Sequence, residues 1–192
     1  MDNTLFALTL IAALGCGLTA GAFLVFSAGI MQALGRLAPA EGIAAMQAIN
    51  ITIINPFFMA AFLGTALISI TAMLAALLRG DGPSVPLILI GGTLYLLGSF
   101  GSTLIFSVPM NNTLAVLTPT DPASATFWST YLTNWTAWNT ARTIASWSSE
   151  SAGVSSSDAS TSCSETAGAS AATLRSTSAS AARSTASNSR VE

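Results

Sequence analysis

Three long intervals of the sequence contain no charged side chain, and this feature constrains the fold more than any other. They cover residues 3–35, 42–78 and 82–120. Over the whole chain only 7% of the residues are charged, whereas soluble domains carry about a quarter. A water-soluble fold needs a polar surface that these intervals cannot supply. We therefore predict an integral membrane protein.

Each interval contains an apolar stretch long enough to cross a bilayer as a helix, which takes about 20 residues. We predict spans at residues 5–31, 51–78 and 85–108. The first stretch is longer than the apolar core of a signal peptide and lacks basic residues before it, so it is a true span. A kink or a helix start is expected near Pro56, which lacks a backbone N–H. Pro109 is expected to end the third span.

Some residues in these spans suggest contacts between helices. Gly17 and Gly21 stand four apart, a spacing that lets another helix approach closely, although chance spacing is an alternative. The polar residues before and within the second span are expected to hydrogen-bond to other helices; they are Gln47, Asn50 and Asn55.

A stripe of aromatic residues follows the third span. At about 100° per residue its members fall within an arc of about 80° on one helix face. One interpretation is an interfacial belt, in which Trp and Tyr lie at the level of the lipid headgroups. The other is the wall of a pocket for a flat aromatic ligand, with the basic member facing an oxygen or an anion. The stripe consists of Trp128, Tyr131, Trp135, Trp138 and Arg142.

The composition changes abruptly after Trp147, where serine and alanine become dominant. Such a segment cannot bury enough apolar surface to offset its ordering entropy, so residues 148–192 are predicted to form a disordered tail. The predicted fold is all-α: a transmembrane helical bundle over residues 1–147, with three clear spans and a fourth, truncated, aromatic-rich helix.

Several kinds of chemistry are disfavoured. The net charge is −2 and no basic cluster is present, so a nucleic-acid partner is not expected. The chain contains no histidine, and Cys16 and Cys163 are far apart in the sequence. We therefore expect no disulfide, no metal ion and no cofactor.

Four segments of the sequence together resemble one family. They are AGAFLVFSAGIMQALGRL (residues 20–37), EGIAAMQAINITIINPFFMAAFLGTAL (41–67), SVPMNNTLA (107–115) and WSTYLTNWTAWNTARTIAS (128–146). They resemble the anthrone oxygenase-like family of small four-helix membrane proteins, most of them uncharacterised bacterial proteins. The resemblance covers about residues 5–146, and it implies a four-helix bundle.

The resemblance also implies an activity, the addition of oxygen to an anthrone to give an anthraquinone. Such a site needs an apolar slot, a base, and donors that stabilise a negative oxygen. We identify no catalytic base, because Glu41 and Asp121 lie in predicted connections. For the asparagines after Pro109, a helix cap is an alternative to ligand binding. The substrate-binding candidates that the resemblance implies are Asn111, Asn112, Trp135, Trp138, Asn139 and Arg142.

The sequence departs from the family pattern at two places. Thr140 stands where members usually have histidine, so no role of that imidazole carries over. The fourth helix should also continue as an apolar run beyond Ser146. We consider the hypothesis that the reading frame has shifted near Ser146, because leucine codons read one base later give serine, tryptophan or cysteine.

Three functional hypotheses follow. In the first, the chain is a multi-pass protein of the cell membrane that oxygenates a hydrophobic polycyclic aromatic. In the second, it is a non-catalytic membrane protein that binds a lipid, a quinone or a partner protein. In the third, it is a degenerate frame-shifted product. The expected partners are the lipid bilayer and a hydrophobic aromatic ligand.

Overall fold

The computed structural model describes the backbone of residues 3–80 and 82–188, with side chains to residue 159 and that of residue 162. These residues form five helical segments, and π-helical turns interrupt α1 and α4. The segments are α1 (Asn3–Leu34), α2 (Pro39–Thr52), α3 (Pro56–Arg79), α4 (Val85–Ala115) and α5 (Pro122–Asn188).

Four of the helices form a bundle. α1 packs along both α3 and α5, and α5 also packs along α4. The short helix α2 lies at one end, against the end of α4 and the first turns of α5. The prediction of an all-α transmembrane bundle is confirmed.

The outer surfaces of three helices of the bundle are apolar. α1, α3 and α4 are each long and apolar enough to span a membrane, and only 33% of the most apolar window of each is buried. The exposed remainder includes Leu14, Leu67 and Leu97, with exposed fractions of 66%, 66% and 70%. Such a surface is stable in lipid and costly in water, so the chain is a membrane protein.

The second span begins at a capped helix end. Asn55 is the N-cap of α3, and its Oδ1 accepts a hydrogen bond from the backbone N–H of Phe58 at 3.0 Å. Pro56 occupies the first turn, where its missing N–H is not needed. The predicted helix start is confirmed, although the span starts at Pro56 because residues 51 and 52 belong to α2.

The prediction that Pro109 ends the third span was wrong. α4 continues to Ala115 after π-helical turns at Leu94–Gly101 and Thr103–Ser107. Pro109 lies in the first turn of the α-helical segment that begins at Val108. The π-helical turn before Pro109 already lacks the regular i→i−4 hydrogen bonds of an α-helix. The missing N–H of Pro109 therefore breaks no such bond, and the helix tolerates it.

The close helix contacts lie at other glycines than the predicted pair. A Cβ at Gly21 would meet nothing within 4 Å, and one at Gly17 would make only ordinary contact with Glu150 at 3.5 Å. A Cβ at Gly98 would lie 2.6 Å from the Cβ of Ala145 on α5. Gly98 therefore lets α4 and α5 approach closely, as does Gly91, where a Cβ would lie 3.2 Å from the Cβ of Ala152.

Polar residues near the second span have separate roles. Gln47 donates through Nε2 to the carbonyls of Leu114 and Leu117 at 2.9 and 3.0 Å, which ties α2 to the end of α4 as predicted. Asn55 instead caps α3. The Nδ2 of Asn50 is buried and has no hydrogen-bond partner.

The fourth helix does not stop near Trp147, and this differs from the predicted truncation. Ser149, Gly153 and Ser156 are buried in the bundle, and a Cβ at Gly153 would lie 3.0 Å from the Cβ of Ala13 on α1. Small residues allow this close packing between helices even where large apolar side chains are lacking. The backbone continues as helix to Asn188. Residues 189–192 lie outside the described residues, and the division into a membrane domain and a separate tail stays a prediction.

Candidate functional site

A cavity of about 250 Å³ lies inside one half of the bundle, between α1, α3, α4 and α5, with the end of α2 at one side. Ligand pockets usually measure about 300–1,000 Å³, so the cavity lies just below the usual range. Most of its wall is apolar. The aromatic members are Phe23, Phe26, Phe58, Phe62, Phe100 and Trp135, and the polar ones are Asn50, Thr103, Ser107, Asn111 and Arg142.

Arg142 is a buried cation in this wall, with an exposed fraction of 3%. Its Nη1 donates to Oγ1 of Thr103 at 3.1 Å, and its guanidinium carbon lies 4.6 Å from the ring centre of Phe23 and 5.2 Å from that of Trp135. No Asp or Glu is among the residues that line the cavity. A buried cation without a carboxylate partner is costly, and it favours a ligand that brings a negative or strongly polar oxygen.

Asn139 holds the guanidinium in place from behind the cavity wall. Its Nδ2 donates to the backbone carbonyl of Phe23 at 2.6 Å and to Oγ of Ser27 at 2.7 Å. Its Oδ1 is left to accept from Nη2 of Arg142 at 3.0 Å. Asn139 thus links α1 to α5 and orients Arg142.

Asn111, also in the cavity wall, is fixed by two hydrogen bonds from α5. Its Oδ1 accepts from the hydroxyl of Tyr131 at 2.8 Å and from Nε1 of Trp135 at 2.9 Å. An indole N–H can only donate, so the oxygen of the amide must face these rings. The amide nitrogen of Asn111 is then left as a donor at the cavity.

The hydrogen bonding around the cavity is incomplete. In the described part of the chain, three buried side-chain nitrogen or oxygen atoms have no hydrogen-bond partner: Nδ2 of Asn50, Oγ of Ser107 and Nε of Arg142. All three residues line this cavity. Buried polar groups are nearly always satisfied in proteins, and leaving one unsatisfied costs about 1–3 kcal/mol. Their grouping at one cavity indicates a site for a polar ligand.

Comparison with protein families gives one match. The sequence model of the family described as anthrone oxygenase matches residues 56–150, which include α3, α4 and the part of α5 that carries Trp135 and Arg142. The chain belongs to the anthrone oxygenase-like family. No curated protein and no solved structure matches it.

The structure brings together some of the candidates that the family resemblance implies. Asn111, Trp135 and Arg142 line the cavity, and Asn139 lies directly behind Arg142. Trp138 does not line it: its exposed fraction is 36%, and it stacks on Phe106 with ring centres 3.6 Å apart. Asn112 is exposed as well.

The aromatic stripe faces the interior of the bundle over most of its length. Trp128, Tyr131 and Trp135 have exposed fractions of 3%, 2% and 5%. The interpretation of the stripe as an interfacial belt is therefore wrong for these residues. Tyr131 and Trp135 build the hydrogen-bonded end of the cavity at Asn111.

Sequence reasoning missed several cavity residues. Ser107 lies four positions after Thr103, and Asn111 lies four positions after Ser107, so the three share one face of α4. This spacing was a signal for a polar stripe inside an apolar span. Phe58 and Phe62 on α3 show the same spacing and stack with ring centres 5.8 Å apart.

The residue at the family's histidine position lies outside the cavity wall. Thr140 is exposed, and its hydroxyl lies 3.0 Å from that of Ser27. Among the described residues, no three His, Cys, Asp or Glu side chains cluster as metal ligands would. The cavity thus offers donors and aromatic surface, and no Asp, Glu or Cys lines it.

Proposed function

We propose that this anthrone oxygenase-like protein resides in the cell membrane and binds a flat polycyclic aromatic ketone in its cavity. The ligand's oxygen faces Arg142, and its rings lie against Trp135 and the phenylalanines. The bound ketone then reacts with O₂ and needs no cofactor. The single observation that carries this proposal is a buried Arg142 with an unpartnered Nε at an aromatic cavity that holds no carboxylate.

The chemistry follows from charge. The CH₂ group flanked by two rings of an anthrone loses a proton, and the negative charge spreads onto the ketone oxygen. Arg142 stabilises that oxygen, as oxyanion-hole donors do. No Asp, Glu or Cys lines the cavity, so the proton leaves to water rather than to a side chain.

The next steps consume one O₂ and release one water. The carbanion carbon forms a bond to O₂, and the resulting peroxide takes up a proton. The second hydrogen on that carbon then leaves as a proton while the O–O bond breaks, which gives the second carbonyl of the quinone and one water. The substrate supplies the electrons that reduce O₂.

Oxygen uptake by the purified protein in lipid nanodiscs, with emodin anthrone as substrate, tests this proposal. Replacing Arg142→Gln is expected to lower the rate above background by about 10²–10³-fold, the usual loss on removing an oxyanion donor. Trp138→Ala is the matched control, because this side chain is on the same helix and outside the cavity wall. A folded wild-type protein without turnover above the spontaneous reaction would contradict the proposal.

A non-catalytic binding role is the second candidate, and the absence of a carboxylate or thiol base in the described cavity wall favours it. Binding of an anthraquinone without any oxygen uptake would support it. A frame-shifted, degenerate product is the third. The family match ends at Glu150, close to the start of the serine-rich segment. An intact reading frame across this region, on resequencing of the gene, would exclude the frame shift.

A further inference from the structure

The cavity has an opening in the side of the bundle. α3 packs against Val85–Gly101 of α4, but beyond Gly101 the described parts of these two helices make at most marginal contact. The cavity lies behind this gap. Four aliphatic residues both line the cavity and are exposed on the outer surface: Ile54, Leu63, Leu104 and Val108, with exposed fractions of 71%, 40%, 52% and 38%. We call these four residues the α3–α4 mouth.

Two of the four mouth residues, Leu63 and Leu104, lie well inside helices that are long and apolar enough to span a membrane. Leu63 is seven residues into α3, which places it about 10 Å from the start of that helix at 1.5 Å per residue. Leu104 is eleven residues before Ala115, about 16 Å from the end of α4 by the same measure. Both helices are apolar enough to span a membrane. With these helices in a bilayer, Leu63 and Leu104 face hydrocarbon rather than water, whereas Ile54, two residues before α3, lies nearer the headgroups.

We propose that the ligand enters the cavity sideways from the lipid, through the α3–α4 mouth. The class of ligand rests on the function proposed above. An aliphatic rim admits an uncharged aromatic and excludes an ionised one, because a charge in hydrocarbon is costly. The substrates are therefore neutral polycyclic aromatics dissolved in the membrane, and the negative oxygen forms only after it reaches Arg142.

The association and dissociation rates of a fluorescent probe test this route. The probe is a fluorescent hydroxyanthraquinone in nanodiscs, and its binding does not depend on turnover. Leu63→Trp narrows the mouth and is expected to slow both association and dissociation by about tenfold, since a gate changes rates in both directions. Leu67→Trp is the matched control: it is one turn along the same helix, exposed, and outside the cavity wall.

A second variant keeps the test decisive if Leu63→Trp does not fold. Leu104→Ala widens the mouth and is expected to speed association several-fold relative to wild type. Equal rates for Leu63→Trp and Leu67→Trp, or no acceleration by Leu104→Ala, would overturn the lateral route while leaving the proposed function intact. A wild-type protein that binds no hydroxyanthraquinone would instead overturn the proposed function, and with it the class of ligand assigned to the mouth.

Discussion

The two halves of the bundle treat their polar groups in opposite ways. We call the half in which Ser149 meets α1 and α4 the closed half. There Oγ of Ser149 donates to the carbonyl of Gly91 at 2.7 Å and lies 3.2 Å from Sγ of Cys16. The hydroxyls of Ser146 and Ser99 pair there at 2.9 Å. The void beside Ser149 and Cys16 measures about 20 Å³, room for about one water molecule. A second space in this half, of about 290 Å³, lies at the surface beside the exposed Trp147.

In the other half, which contains the cavity of about 250 Å³, three of the residues in the mostly apolar wall carry a buried polar atom without a partner. The two halves share the same helices, so the difference does not come from helix type or from the surrounding lipid. Each unsatisfied atom costs about 1–3 kcal/mol. We propose that a bound ligand satisfies the polar groups that this half leaves open.

The largest expected effect on stability comes from filling the closed half. Gly98→Leu forces a side chain against Ala145 and is expected to lower the free energy of unfolding by about 3 kcal/mol. Gly21→Leu introduces the same side chain where a Cβ meets nothing within 4 Å, so its effect should stay within about 0.5 kcal/mol. Thermal unfolding in detergent, followed by circular dichroism, measures both. Equal losses would mean that the close approach of α4 and α5 does not exist.

A smaller effect is expected from shortening α5. A chain that ends after Trp147 loses the buried Ser149 and Gly153, and its free energy of unfolding should fall by about 2 kcal/mol relative to a chain that ends after residue 162. The same unfolding measurement applies. Equal stability of the two chains would support the prediction from composition that a disordered tail begins at residue 148.

The smallest expected effect is the difference between two serine-to-alanine substitutions, one in each half. Ser149→Ala removes a hydroxyl that has partners and should destabilise the ligand-free protein by about 1 kcal/mol. Ser107→Ala removes a buried hydroxyl without a partner, so it should be neutral or stabilising by up to about 1 kcal/mol. Chemical unfolding with each variant measures the difference. A loss at Ser107 as large as that at Ser149 would erase the contrast between the halves.

The sequence predicted the bundle because long uncharged stretches have few alternatives to membrane helices. It also predicted the start of α3, since Asn55 and Pro56 make a local helix start. The end of α4 was not predictable from Pro109 alone, because the π-helical turns before it depend on packing between helices. The extension of α5 was missed for a similar reason: small polar residues pack closely only when a partner helix is present.

The site was predictable in part. The periodicity of the aromatic stripe was compatible with both an interfacial belt and the wall of a pocket. The inward orientation of the stripe depends on contacts of α5 with the other helices. The unpartnered atoms of Asn50 and Ser107 could not be inferred from sequence, because a missing hydrogen bond is a property of the assembled fold.

The most direct test of the cavity as a site for an aromatic oxygen compares two ligands in nanodiscs. A hydroxyanthraquinone and anthracene share three fused rings, but only the former carries oxygen. After correction for partition into lipid, the wild-type protein should bind the oxygenated ligand at least about tenfold more tightly, as a hydrogen bond to a charged donor implies. In Arg142→Gln that ratio of Kd values should approach one. A ratio that is the same in wild type and variant would contradict the role of Arg142 on which the proposed function depends.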